Sequence, residues 1–260
     1  MKTIDLNCDM GESFGAWHMG DDEAVLPHVS SINVACGLHA GDWNVMHRTV
    51  RAAFARGVAV GAHPSLPDLQ GFGRRTINLA PAEAYELVLY QVGALSAFCR
   101  ASGGRLSHVK AHGALYNMAA KDAELACAIA RAVADFDREL VLFGLAGSAL
   151  IRAGREAGLR VANEVFADRS YQPDGSLTPR TREGSMITEV GAALAQVEGM
   201  LAQGKVRALD GTEVAIEADT ICVHGDQPGA AQFARELRAL LARMKIDVAA
   251  RVGVKSAGEE

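Results

Sequence analysis

Short β-branched runs alternate with longer amphipathic stretches along the whole chain. The pattern predicts strands near residues 3–8, 31–36, 58–63, 106–112, 140–145, 160–166 and 220–225. Helices are predicted between them. One spans 43–56, with Asp42 as N-cap and Gly57 past its end; another spans 81–102, with Pro81 in the first turn and Gly103 as the stop. Further helices are expected at 122–135, 147–157, 189–203 (between Thr188 and Gly204) and 228–244, and a short one at Asp21-Asp22-Glu23. Alternation of this kind implies a parallel sheet with right-handed crossovers.

The strand faces decide between an open sheet and a closed one. Side chains alternate with period two, so Ile4, Leu6 and Cys8 share one face of the first strand, opposite Asp5, Asn7 and Asp9. His108, Lys110 and His112 lie together in the fourth. Thr220, Cys222, His224 and Asp226 lie together in the last, and Asn33 opposes Ile32 and Val34 in the second. An open parallel sheet, covered on both sides, reads as continuously apolar. One apolar and one ionisable face instead suit a barrel with helices outside and polar groups within. Leu140-Val141-Leu142-Phe143 breaks the alternation. The expected fold is α/β: a distorted TIM-like (β/α)7 barrel, one domain over residues 1–254, with 255–260 as a disordered tail. Asp210-Gly211, between two β-prone runs, predicts a two-residue turn in a small β-hairpin decorating it.

Composition narrows the function. A chain of 260 residues is near the usual size of a (β/α) barrel. The net charge of −5 offers no basic footprint for nucleic acid. No apolar leader follows Met1, and the longest apolar run, Leu140 to Ile151, is too short to span a bilayer. Five cysteines without a Cys-x-x-Cys pair suit reduced thiols. The expected location is the cytoplasm.

Polar residues concentrate where strands end, which in (β/α) barrels is the mouth that carries active sites. The segments there contain Asp9 and Glu12, His39 and Asp42, His63, Lys110 and His112, Glu164, Asp168 and Arg169, and His224. A single histidine at a strand end is more often structural than catalytic; so many ionisable groups at one end are costly unless paired or wetted by a cavity. Lys110 either holds an anion or a developing oxyanion, or serves as counter-ion to Asp9 or Glu164. His63, His112 and His224 are candidate acids or bases, and Asp9 a candidate base for water. Asp5 and Asn33 lie deeper and read as structural, Asp42 as a helix cap, and His47 as surface. The loops 63–78 and 168–184 carry Arg74, Arg75, Arg169, Arg180 and Arg182, either as lid arginines over an anion or as solvated charge. P-loop, Gly-x-Ser-x-Gly and His-Glu-x-x-His motifs are absent.

Six stretches carry a resemblance: DLNCDMGESFG (5–15), NVACGLHAGD (33–42), GAHPSLPDLQGFGRR (61–75), HVKAHGALYN (108–117), EVFADRSYQPDGSLTPR (164–180) and ICVHGDQPGA (221–230). They resemble the LamB/YcsF family, that of the A subunit of prokaryotic 5-oxoprolinase. Ala111, Leu38 and Leu66 depart from the family pattern but displace no ionisable group. The resemblance implies ATP-coupled opening of the lactam of 5-oxo-L-proline to L-glutamate, with B and C subunits as partners. For that reaction the strand-end geometry suggests catalytic roles for Asp9, His63, Lys110, His112 and His224, and substrate binding by Asn7, Glu12, His39, Glu164, Asp168 and Arg169. With no P-loop, either ATP binds this chain through an unrecognised site or a partner subunit phosphorylates the lactam, and the second is preferred. No residue is assigned to a metal in that reading. Two rivals stay open. One is a metal-dependent deacetylase using Asp9, His39 and His63; the other is a non-catalytic ligand-binding subunit.

Overall fold

Seven parallel strands close on themselves in a computed structural model that describes residues 2–224 and 229–251, with His224 described by its backbone alone. The chain runs through β1 (Lys2–Met10), α1 (Asp22–Val25), β2 (Ser31–Ala35), α2 (Trp43–Phe54), β3 (Ala59–His63) and α3 (Pro81–Ala101). It continues through β4 (His108–Lys110), α4 (Gly113–Ala119), α5 (Ala123–Phe136), β5 (Val141–Leu145), α6 (Ala149–Glu156), β6 (Arg160–Phe166) and α7 (Val190–Gln203). The hairpin β7 (Lys205–Arg207) and β8 (Glu213–Ala215) precedes β9 (Thr220–His224), α8 (Ala230–Arg243) and β10 (Ile246–Val248). β1 to β6 pair in sequence, and β9 closes the ring between β6 and β1, with Asp9 opposite His224. β10 adds in parallel along Lys2 to Ile4 of β1.

The expected (β/α)7 barrel is therefore present, and its strands fall where the alternation places them. Local signals set several helix starts: Asp42 Oδ1 accepts from Val45 N at 2.8 Å, Asp122 caps α5 and Ser148 caps α6. Three expectations need correction. The residue before α7 is Glu189, not Thr188, and its side chain makes no capping bond. The hairpin turn has three residues, Leu209 to Gly211, because Ala208 N bonds Thr212 O and Gly211 takes a left-handed φ of 93°. α4 and β10 lie where no element was expected. Asp226 and the tail 255–260 fall outside the described residues.

The outer faces of the strands build the main core: Ile4, Leu6, Cys8, Ile32, Val34 and Val60 share one cluster with Val50 of α2 and Val88, Val92 and Leu95 of α3. Each fully buried aliphatic side chain of this kind contributes roughly 1.5–3 kcal/mol. The barrel interior is different. Val141, Phe143 and Ala162 form a small separate apolar cluster there, which accounts for the missing alternation in β5. The His108 ring stacks on Phe143 at 4.2 Å, and its Nε2 contacts Asn33 Oδ1 at 2.7 Å. Below, Asp5 accepts from Ser30, Ser31 and Thr220 at 2.6–2.9 Å. Asp5 and Asn33 are buried and outside the lining of the cavity, at the depth expected of them.

Burial, reinforced by the charge of Lys110, lowers the pKa of His108 to about 3. The ring is neutral in the native state but protonates in the unfolded chain below its ordinary value near 6.5. Stability is thus fully present above that value and lost as pH falls towards 3; at pH 5 the loss from this group is about 2 kcal/mol. Denaturant titrations at pH 7.5 and 5.0 should show the wild type weakening by at least this much, and His108→Gln by about 2 kcal/mol less. Equal declines would rule this ring out as the cause.

Candidate active site

The C-terminal ends of the strands open into a cavity of about 680 Å³, lined among others by Asp9, Glu12, His63, Lys110 and His112. Lys110 sits at its floor, 2% exposed. Its Nζ lies 3.0 Å from Asp9 Oδ1, 2.8 Å from Glu164 Oε1 and 3.2 Å from both Asn7 Oδ1 and Cys222 Sγ. Burial opposes the ammonium charge, but the facing Asp9 and Glu164 carboxylates outweigh it and hold the Lys110 pKa well above the usual lysine value. Lys110 is thus a permanent cation and the counter-ion of both acids. Cys222 is kept a thiol by burial.

A second tier of polar side chains orients these groups. Asn7 donates to Glu164 Oε1 at 3.0 Å and to Thr220 Oγ1 at 2.7 Å. Asn33 donates to Asn7 Oδ1 at 2.7 Å and to Asp9 Oδ1 at 2.8 Å. Asp9 Oδ1 is therefore occupied by protein donors, whereas Oδ2 faces His63 Nε2 at 3.2 Å.

Three imidazoles form the opposite wall. His63 Nδ1 lies 2.8 Å from the Lys110 carbonyl, and His112 Nε2 lies 2.9 Å from the Phe72 carbonyl. A carbonyl only accepts, so both of these nitrogens carry the proton. Phe72 has a left-handed φ of 55°, an unfavourable state for a bulky residue, in the turn that presents its carbonyl to His112. His39 stacks on His112 at 4.0 Å, and neither of its ring nitrogens has a hydrogen-bond partner among the described residues. Burial and the neighbouring imidazoles hold His39 and His112 well below the usual histidine pKa, so both are neutral.

The candidate residues separate by depth. Asp9, Glu12, His63, Lys110, His112 and Arg169 reach the cavity wall. Asn7, Glu164 and His39 lie behind it, at most 1% exposed. Asp168 lines a smaller neighbouring cavity of about 250 Å³ with Met186 and Phe233. His224 ends β9 beside Asp9 in the register, and its side chain is outside the described residues.

The sequence profile of the LamB/YcsF family matches residues 4–256. The chain belongs to the LamB/YcsF family. It is 63% identical over 248 residues to the A subunit of 5-oxoprolinase from Bordetella parapertussis, covering 95% of this chain and 98% of that one. It is 60% identical over 249 residues to the corresponding 5-oxoprolinase chain of Methylococcus capsulatus, covering 96% of both chains. The crystal structure of a lactam utilization protein from Thermus thermophilus superposes with a TM-score of 0.89 at 50% identity, over 96% of this chain and 100% of that one.

In this LamB/YcsF barrel the long loops are ordered by their own contacts. Arg169 donates to the carbonyls of Thr178 at 2.6 Å and Ser185 at 3.2 Å, so it braces the 168–184 loop as well as lining the cavity. Burial lowers its pKa to about 10, which leaves it charged at neutral pH. Arg74 and Arg180 also reach the cavity, while Arg75 pairs with Asp68 outside it. Sequence reasoning missed Tyr116, a buried member of the wall on α4 whose phenol burial and Glu164 hold well above its usual pKa. The short helical run after Gly113 was the signal available for it.

Proposed function

We propose that this chain is the A subunit of a 5-oxoprolinase, a hydrolase that opens the lactam of 5-oxo-L-proline to L-glutamate with energy from ATP. The observation that carries the reading is the buried cation between two acids, Lys110 with Asp9 and Glu164, beneath two histidines in a cavity of small-molecule size. The names of relatives at 57–63% identity supply the substrate.

A lactam carbonyl is unreactive. Phosphorylation of its oxygen makes the ring carbon electrophilic, and water adds there. His63 and Asp9 are positioned to take the proton of that water, and Lys110 to stabilise charge building on oxygen. Cleavage of the C–N bond, with a histidine protonating the departing amine, leaves an acyl phosphate. A second water releases phosphate and glutamate. Arg74, Arg169 or Arg180 at the cavity edge suits the substrate carboxylate. In this reading a partner subunit phosphorylates the lactam and this barrel completes the hydrolysis; nucleotide binding by the isolated chain, measured by calorimetry, would instead put the ATP site here.

The test is ATP-dependent glutamate release from 5-oxoproline by this chain with and without the partner subunits. Turnover should require all components. Asp9→Asn, which preserves shape and removes the base, should lower it by about 10² to 10⁴ while assembly persists. Full turnover of a folded Asp9→Asn complex would favour the non-catalytic reading instead.

A further inference from the structure

The hydrogen bonds of the histidine wall aim two ring nitrogens at one place. His63 spends its Nδ1 proton on the Lys110 carbonyl, so in the neutral ring Nε2 bears a lone pair. His112 spends its Nε2 proton on the Phe72 carbonyl, so its Nδ1 bears a lone pair too. The two bare nitrogens face each other at 3.0 Å, and Asp9 Oδ2, an acceptor as well, lies 3.2 Å from His63 Nε2. These three donor atoms converge on one side of the cavity, with the Lys110 ammonium pairing the other oxygen of Asp9. Glu12, 7% exposed, adds a fourth. One donor atom from each of Asp9, Glu12, His63 and His112 lies within 4.8 Å of the others.

We infer that these four residues form a binding site for a divalent transition-metal ion. Bonds of roughly 2.0–2.2 Å to nitrogen and oxygen place ligand atoms about 3–4 Å apart, so the widest pair must close by roughly 1 Å. Ring protons donated to backbone carbonyls fix both tautomers and aim both lone pairs, the usual support for a metal-bound imidazole. Asp9 is divided in the same sense: Oδ1 is held by Lys110 and Asn33, and Oδ2 faces His63. Two imidazoles with two carboxylates suit Zn²⁺ or Mn²⁺ better than Mg²⁺ or Ca²⁺, which prefer all-oxygen shells. The ligand set differs from the Asp9, His39 and His63 triad suggested by the strand ends. His39 lies flat against His112 and contributes packing to the site. The inference does not rest on the lactam reading; with an ion bound, His63 and Asp9 would hold it and would not also take the proton of the attacking water.

The measurement is metal content of the full chain purified without chelator, followed by calorimetric titration of the metal-stripped chain with ZnCl₂ or MnCl₂ alone. One ion per chain is expected. Glu12→Gln and His112→Asn should each weaken binding by roughly 100-fold or more, while His47→Ala, an exposed histidine remote from the cluster, should leave it unchanged. Co²⁺ substitution should give visible d–d bands that Glu12→Gln alters, with circular dichroism confirming that the variant is folded. The proposal is overturned if the folded, stripped chain takes up neither ion at millimolar concentration. It is equally overturned if binding survives both substitutions. A doubly protonated His63 in a metal-free chain that takes up neither ion, read by ¹⁵N chemical shifts, would show that a proton fills the place instead.

Discussion

Lys110→Met should abolish glutamate release and cost about 3–5 kcal/mol of stability, the usual penalty for stripping one partner from a buried ion pair. The ammonium is the shared counter-ion of Asp9 and Glu164. Methionine fills a similar volume but leaves two buried carboxylates facing each other and Asn7 Oδ1 without its Lys110 contact. The loss of activity should be at least about 10²–10³-fold, the scale for removing a preorganised donor to a developing oxyanion. Stability and catalysis can be told apart. Adding Glu164→Gln to Lys110→Met removes one orphaned charge and should recover part of the stability, with no return of turnover. Recovery of both would mean that the lysine acts only as a strut. The ion pairing is present throughout the neutral range: with the folded pKa of Lys110 raised, its contribution is intact below the ordinary lysine value and is lost as pH climbs from there through the elevated one.

Gly61→Ala should rank with it among single changes, although alanine is the smallest addition possible. Gly61 faces the barrel interior on β3, and a Cβ built there would lie 2.1 Å from His108 Nε2 and 2.5 Å from Cε1. The imidazole occupies the space a side chain would take, wedged between Gly61 and Phe143. It cannot retreat without losing the 2.7 Å contact to Asn33, which in turn steadies Asp9. Overpacking of this kind costs typically 1–3 kcal/mol, and the broken hydrogen bond adds about 1. Turnover should fall as well, because Asn33 shifts. A cycle with His108→Ala checks the cause. In the double variant the Cβ meets open space, so the two penalties should fall short of additive by more than about 1 kcal/mol. Strict additivity would place the strain elsewhere.

Both expectations depend on the barrel interior, and that interior was half-written in the alternation of residues. Asp5, Asn7 and Asp9 against Ile4, Leu6 and Cys8 identified the inward face before any strand was placed. Closure followed, because a parallel sheet with one ionisable face needs somewhere enclosed to put it. The same argument gathered Asp9, His63, Lys110 and His112 at one mouth, and offered pairing with Asp9 or Glu164 as one of two roles for Lys110. It failed for Leu140 to Phe143, whose inward residues pack on His108 and so carry no polar signal. The hairpin turn was misjudged because Asp-Gly serves a two-residue turn as well as a three-residue one with glycine at its end.

The order and direction of the strands, the end at which chemistry gathers and the charged groups available there were thus determined by the chain as a string, since side-chain alternation and helix stops are local properties. Which nitrogen carries a proton, which oxygen of Asp9 faces His63, and why glycine stands at 61 depend on atoms tens of residues apart meeting within about 3 Å. Only closure of the barrel brings the Phe72 carbonyl to His112 and Asn33 to Asp9. Periodicity carries direction but not distance, and proton positions follow from distance.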